Sequence, residues 1–171
     1  MSLADDLLGV AREMAESTLP NWEQARLRRA VSTTYYALFH FLLEQASAQI
    51  VGDPKIQTLV SRGFAHTDIQ KAAITFRSGW GALPDHIRAV FSNPLPPEIV
   101  QLSITFISLQ QARQNADYNL LTQFVQSEVV KLVSNAEKAI ADFRTLQANP
   151  AAKTADDLFL ASLLLIDRWK K

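Results

Sequence analysis

The sequence predicts an all-α protein, an antiparallel bundle of about five to six helices, and three observations lead there. Apolar residues recur at spacings of three and four along most of the chain. Prolines fall between those periodic stretches rather than inside them. No segment alternates apolar and polar residues between hairpin turns, as a half-buried strand does.

The elements follow in order. Ser2 with Asp5 three residues on has the form of a capping box, and Leu3, Leu7, Val10 and Met14 supply an apolar stripe for the first helix. Asn21 with Gln24 opens a second helix that keeps its period to about Val51. A shorter helix begins near Thr67 and carries Ile69, Ala72, Ala73 and Phe76 on one face. Pro97 suits the first turn of the next, with Ile99, Leu102, Phe106 and Leu109 as its stripe. Another runs from about Thr122 to Leu146 on Val129, Leu132, Val133, Ala136, Ile140 and Phe143. Thr154 is the expected cap of the last, with Asp156 and Asp157 in its first turn and Arg168, Lys170 and Lys171 at its end. The long second, fourth and fifth of these helices are expected to form the core.

At 171 residues the chain fits one domain, 1–171, with a core over about 21–146 and a C-terminal docking helix over about 154–170. Hydrophobic residues make up 48% and charged residues 20%, the balance of a globular protein. Seventeen basic side chains offset seventeen acidic ones, which argues against binding nucleic acid by bulk charge and leaves only a local basic patch. Cysteine is absent, so disulfides, thiolate metal sites and a cysteine nucleophile are excluded. The three histidines, His40, His66 and His86, lack the i, i+4 pairing of helical zinc sites, so neither a metal nor another cofactor is expected. Gly79-Trp80-Gly81 lacks the lysine and hydroxyl of a phosphate-binding loop and reads as an aromatic plug. The acidic N-terminus is unlike a secretion signal and no apolar run spans a bilayer; the expectation is a cytoplasmic protein without membrane contact.

Two clusters carry candidate chemistry. In the second helix, Arg29, Thr33, Tyr36 and His40 form a polar stripe among apolar neighbours. Such a stripe is either a site facing a cleft or subunit, or a hydrogen-bonded network inside the bundle. Arg26, Arg28 and Arg29 point in different directions there, and are expected to pair with acids such as Glu23, with nucleic acid as the other reading. The second cluster is Gln110, Gln111, Arg113, Gln114, Asn115, Asp117 and Tyr118. Arg113 and Asp117, four apart, either make a helical ion pair or form a site in which Arg113 holds a phosphate while Asp117 and Tyr118 orient it.

Together the two clusters resemble the HEPN superfamily, small helical bundles that include RNA-cleaving toxins and nuclease domains. The segment from Arg28 to His40, Arg-Arg-Ala-Val-Ser-Thr-Thr-Tyr-Tyr-Ala-Leu-Phe-His, looks like a signature helix of one subgroup. Arg113-Gln-Asn-Ala-Asp-Tyr118 looks like its counterpart of the ribonuclease motif, in which an arginine and a polar residue precede a histidine by a few positions. Gln114 takes the polar place, and Tyr118, Asn119 and Leu120 stand where the histidine would. The resemblance therefore implies at most a divergent, metal-independent ribonuclease, or a member that binds RNA or nucleotide phosphate through Arg113 without cutting it. It implies Arg113, Asp117 and Tyr118 as the reactive set and Arg29, Tyr36, His40 and Gln114 as binding residues. His40 would have to face Arg113 to replace the missing imidazole. The superfamily's habit of pairing motif helices implies a symmetric homodimer. The alternative is a non-catalytic helical module acting through dimerisation or another protein contact.

Overall fold

A computed structural model describes residues 2–19, 23–90 and 94–169. Among these residues there is no strand; eight α-helices and two short 3₁₀ turns account for the regular structure. The helices are α1 Leu3–Glu16, α2 Glu23–Ile50, α3 Pro54–Ser61, α4 His66–Arg77, α5 Asp85–Arg88, α6 Pro97–Tyr118, α7 Gln126–Gln147 and α8 Lys153–Leu165. Six of them answer to the helices expected from periodicity. The two additions, α3 and α5, are too short to show a period; Asp53 caps α3 from its side chain, with Pro54 in the first turn.

The chain divides into two compact units, Met1–Phe41 with Thr105–Ile140, and Leu42–Ile104 with Ala141–Lys171. In the first unit α1, the start of α2, the end of α6 and most of α7 surround a core of Ala11, Ala15, Leu27, Ala30, Val31, Ala116, Val129 and Val133. Neighbours run antiparallel, because contacts rise along one helix as they fall along the other. Arg28 reaches Ala116 while Tyr36 reaches Arg113, and Arg12 binds Glu137 while Ala15 binds Gln126.

The capping box on α1 forms as expected, but the buried face does not. Leu3 and Val10 are exposed and Leu7 and Met14 half-buried; the buried positions are Ala4, Leu8, Ala11 and Ala15. Both stripes have helical period, and the small one wins because alanines let the helix axes approach closely. The stripes of α4 and α6 are buried as expected, and Val129, Val133, Ala136, Ile140 and Phe143 of α7 likewise, with Leu132 half-buried. Helix α7 starts at Gln126 rather than Thr122, since the chain after α6 is held in turns.

In the second unit α4 and α8 pack antiparallel through Phe76 and Phe159, whose ring centroids lie 5.0 Å apart, and Phe143 meets Phe159 edge-on at 5.7 Å. The expected cap at Thr154 is corrected: α8 begins at Lys153 directly after a 3₁₀ turn that Asn149 caps, so Thr154 is already helical. Helix α8 ends at Leu165, before Arg168. The expected cap Asn21 and the terminal Lys170 and Lys171 lie outside the described residues. Every large apolar side chain of α8 is buried or half-buried. Trp80 is half-buried beneath the Arg88 guanidinium, and Gly79 before it takes φ 88°, a conformation that favours glycine.

Candidate functional site

The first unit brings the two polar clusters together. Helix α2 presents Arg28, Arg29, Ser32 and Tyr36 along one face, and α6, running the other way, presents Ala116, Asp117 and Tyr118. With Ala25 these residues line an open depression of about 480 Å³.

Arg113 is the centre of the arrangement. The chain has three tyrosines, and all three rings surround this guanidinium: its central carbon lies 5.8 Å from the Tyr35 ring centroid, 5.5 Å from that of Tyr36 and 5.6 Å from that of Tyr118. Each contact sets a cation against the electron-rich face of an aromatic ring. The Nη2 of Arg113 donates to the Tyr36 hydroxyl at 2.9 Å. Its Nε lies 2.7 Å from the Asp117 Oδ2, but the N–H points off the oxygen, so this is an ion pair without an in-line hydrogen bond. The two side chains are 23% and 25% exposed. The Ser32 hydroxyl, itself buried, donates to the other carboxylate oxygen of Asp117.

Burial works against the charge on Arg113, but the Tyr36 phenol and the Asp117 carboxylate outweigh it, and its pKa lies above the usual arginine value. Tyr35 is fully buried and stacks with Phe39 and tilts against Phe106. Burial pushes its phenol up to about 12, although Arg113 pulls the other way. Tyr118 is 73% exposed, so one end of the cage opens to solvent.

The arginines of α2 behave unlike the expectation that they pair with acids. Arg28 instead closes the end of α6: its two terminal nitrogens donate to the carbonyls of Ala116 at 2.8 Å, Asn119 at 3.0 Å and Thr122 at 2.6 Å, with longer contacts to Asn115 and Leu120. A cation at a helix C-terminus also complements the helix dipole. Arg26 donates to the carbonyls of Met14 and Leu19. Arg29 is exposed at the rim and makes no ion pair among the described residues.

The remaining expected residues divide. Tyr36 joins Arg113 directly. His40 is half-buried one helical turn beyond it, its ring centroid 6.5 Å from that of Tyr36 and 5.7 Å from that of Phe39. Its ring neighbours Tyr36 and Phe39, and it does not line the depression. Thr33 is half-buried and lines no part of the depression. Gln114 is exposed, about 100° round the helix from Arg113.

Ser32 and Tyr35 belong to the site although neither is among the expected site residues, and Arg28, expected to pair with an acid or to meet nucleic acid, joins them. A signal existed for two of them: Arg28, Ser32 and Tyr36 repeat every four residues, a stripe beside the one read from Arg29.

Among the described residues no group of three histidine, aspartate or glutamate side chains is placed to hold a metal, and no helix is long and apolar enough to cross a membrane. The depression is lined by two arginines, Arg28 and Arg29, and one carboxylate, Asp117; Arg113 does not line it and meets it through Asp117, Tyr36 and Tyr118. Chemically the arrangement offers guanidinium groups for an oxyanion, two phenols and an exposed aromatic surface. A comparison of the chain with family models, with curated proteins and with solved structures finds no match to any of the three.

Proposed function

We propose that this chain is a HEPN-like helical protein that binds RNA or nucleotide phosphate at the depression between α2 and α6, as an inactive or variant ribonuclease. The observation that carries the reading is a set of guanidinium groups, Arg28 and Arg29 in the lining of the depression and Arg113 held against three of its lining residues, Tyr36, Asp117 and Tyr118, beside the exposed ring of Tyr118. Arginine holds phosphate oxygens in a planar fork, and an exposed aromatic ring is a stacking surface for an unpaired base.

Binding without cleavage follows from the same residues. Cleavage through the ribose 2′-hydroxyl needs a base that titrates near neutrality. No histidine lines the depression among the described residues, and the His40 ring centroid lies 6.5 Å from that of Tyr36. Asp117 is paired with Arg113 and takes the Ser32 hydroxyl, so both of its oxygens are already engaged.

Fluorescence anisotropy with a short labelled single-stranded RNA tests this. Wild-type protein should bind at low salt and weaken as salt rises; Arg29→Ala should lower the slope of log K against log salt by roughly one. Arg113→Ala should abolish binding while circular dichroism shows the helices intact. Absence of binding by the wild-type protein at low salt refutes the reading.

One observation favours a second reading, a non-catalytic module that dimerises or docks on another protein. Leu120 and Leu121 are 84% and 90% exposed on the turn after α6, and that turn is fixed by Arg28 and by Asn119, whose side chain accepts from the Leu121 N–H. Two leucines held outward on an ordered turn form a contact point of the kind found at protein interfaces. Sedimentation of the wild type against Leu121→Asp decides whether a homodimer depends on it.

A further inference from the structure

We infer that Asp117 is a built-in competitor for the anion, its carboxylate standing so close to the Arg113 Nε that a phosphate oxygen cannot take the N–H without moving it, and so setting how tightly the site binds. The inference rests on the phosphate-binding reading and adds what controls that site.

A guanidinium binds an oxyanion best along one edge of its fork, through two N–H groups at once. In Arg113 the Nε and Nη2 nitrogens form one such edge. Asp117 Oδ2 stands 2.7 Å from Nε, and the Tyr36 hydroxyl takes the donation from Nη2. The Tyr35, Tyr36 and Tyr118 rings lie against the guanidinium, their centroids 5.8, 5.5 and 5.6 Å from its central carbon. A phosphate that takes this edge must displace the carboxylate. The carboxylate is not loosely held, because the buried Ser32 hydroxyl donates to its second oxygen. Both groups belong to the same helix, four residues apart, so the competitor is always present at high effective concentration.

Displacement also has an electrostatic side. Asp117 lines the depression with Arg28 and Arg29, and a phosphate seated there would lie within a few ångströms of a like charge. Removing that charge while keeping the side-chain shape should strengthen binding much more than removing a distant one.

Asp117→Asn keeps the volume and an oxygen for the Ser32 hydroxyl. With the labelled single-stranded RNA as probe, this variant should bind about tenfold or more tighter than wild type at one fixed salt concentration. Glu23→Gln, an equal charge change at an exposed position at the start of α2, should alter affinity by about twofold or less. Equal effects of the two substitutions overturn the inference, and so does weaker binding by Asp117→Asn. If Asp117→Asn fails to fold, Ser32→Ala takes its place: it unpins the carboxylate, and tighter binding supports the inference while unchanged affinity refutes it. The double variant Arg113→Ala with Asp117→Asn separates this idea from the reading beneath it. Full affinity in the double variant places the anion away from Arg113 and refutes both; loss of affinity there, with no gain in Asp117→Asn alone, refutes only the competitor.

Discussion

Arg28→Ala should destabilise the protein by about 3 kcal/mol, and the structure supplies the parts of that figure. The short donations to Ala116 and Thr122 are partly buried, whereas the one to Asn119 is exposed and its carbonyl recovers water when the arginine is lost. Each of these two partly buried bonds from a charged donor contributes about 1 kcal/mol after that exchange with solvent. The guanidinium also lies 5.6 Å from the Phe124 ring centroid, a contact that contributes about 0.5–1 kcal/mol. The contacts at 3.4 Å to Asn115 and Leu120 add little. For a chain of this size the loss corresponds to a fall in Tm of roughly 6–12 °C. Arg28→Lys keeps the charge at the helix end but cannot reach several carbonyls at once, and should recover less than half. Urea and thermal unfolding followed by circular dichroism measure both variants. A loss under about 1 kcal/mol for alanine, or full stability with lysine, refutes the view that the forked donation holds this turn.

Three further outcomes follow from the packing. Ala11→Leu should destabilise by about 1–3 kcal/mol through overpacking of the buried face of α1, whereas Val10→Ser on its exposed side should change stability by less than about 0.5 kcal/mol in the same unfolding assay. In an alkaline titration followed by phenolate absorbance, one tyrosine, Tyr35, should titrate at about 12, and Tyr35→Phe should remove that step. Since the neutral phenol is the favoured form in the fold, its contribution to stability is present below the ordinary tyrosine value and is lost as pH rises through about 12. Asp156 is buried in α8, and burial first, then the charge of Asp157, raises its pKa above the usual carboxylate value. Its contribution is therefore complete below the ordinary carboxylate range and is lost as pH rises through the raised value, so Asp156→Asn should raise the urea midpoint at neutral pH and leave it unchanged in acid.

Local chemistry made much of the fold legible. The Ser2–Asp5 box, Pro97 in the first turn of α6, and the apolar stripes of α4 and α6 depend on residues within a turn or two of each other, and each appears where the spacing put it. The all-helical character follows from the same local rules. Where two local solutions had equal period, the sequence did not choose. On α1 the leucine stripe and the alanine stripe are both helical faces, and only the close approach of the neighbouring helices selects the alanines. The start of α8 differs from the expected Thr154 cap for a related reason, since the Asn149-capped turn feeds directly into the helix and makes a threonine cap unnecessary.

The candidate site belongs mostly to tertiary structure. Its residue types were visible, since Arg113, Tyr36 and Tyr118 stand in the two polar clusters of the sequence. Yet Tyr36 and Arg113 stand 77 residues apart, and nothing in either stretch specifies that three tyrosines close around one guanidinium. Nor does the sequence say that Arg28 spends its donors on backbone carbonyls while Arg29 keeps its charge at the rim. Helix and cap are decided by neighbours along the chain, so they can be read from it; a partner for a charged side chain is decided by what the antiparallel packing of α2 and α6 brings within about 3 Å, and that distance exists only once the chain has folded.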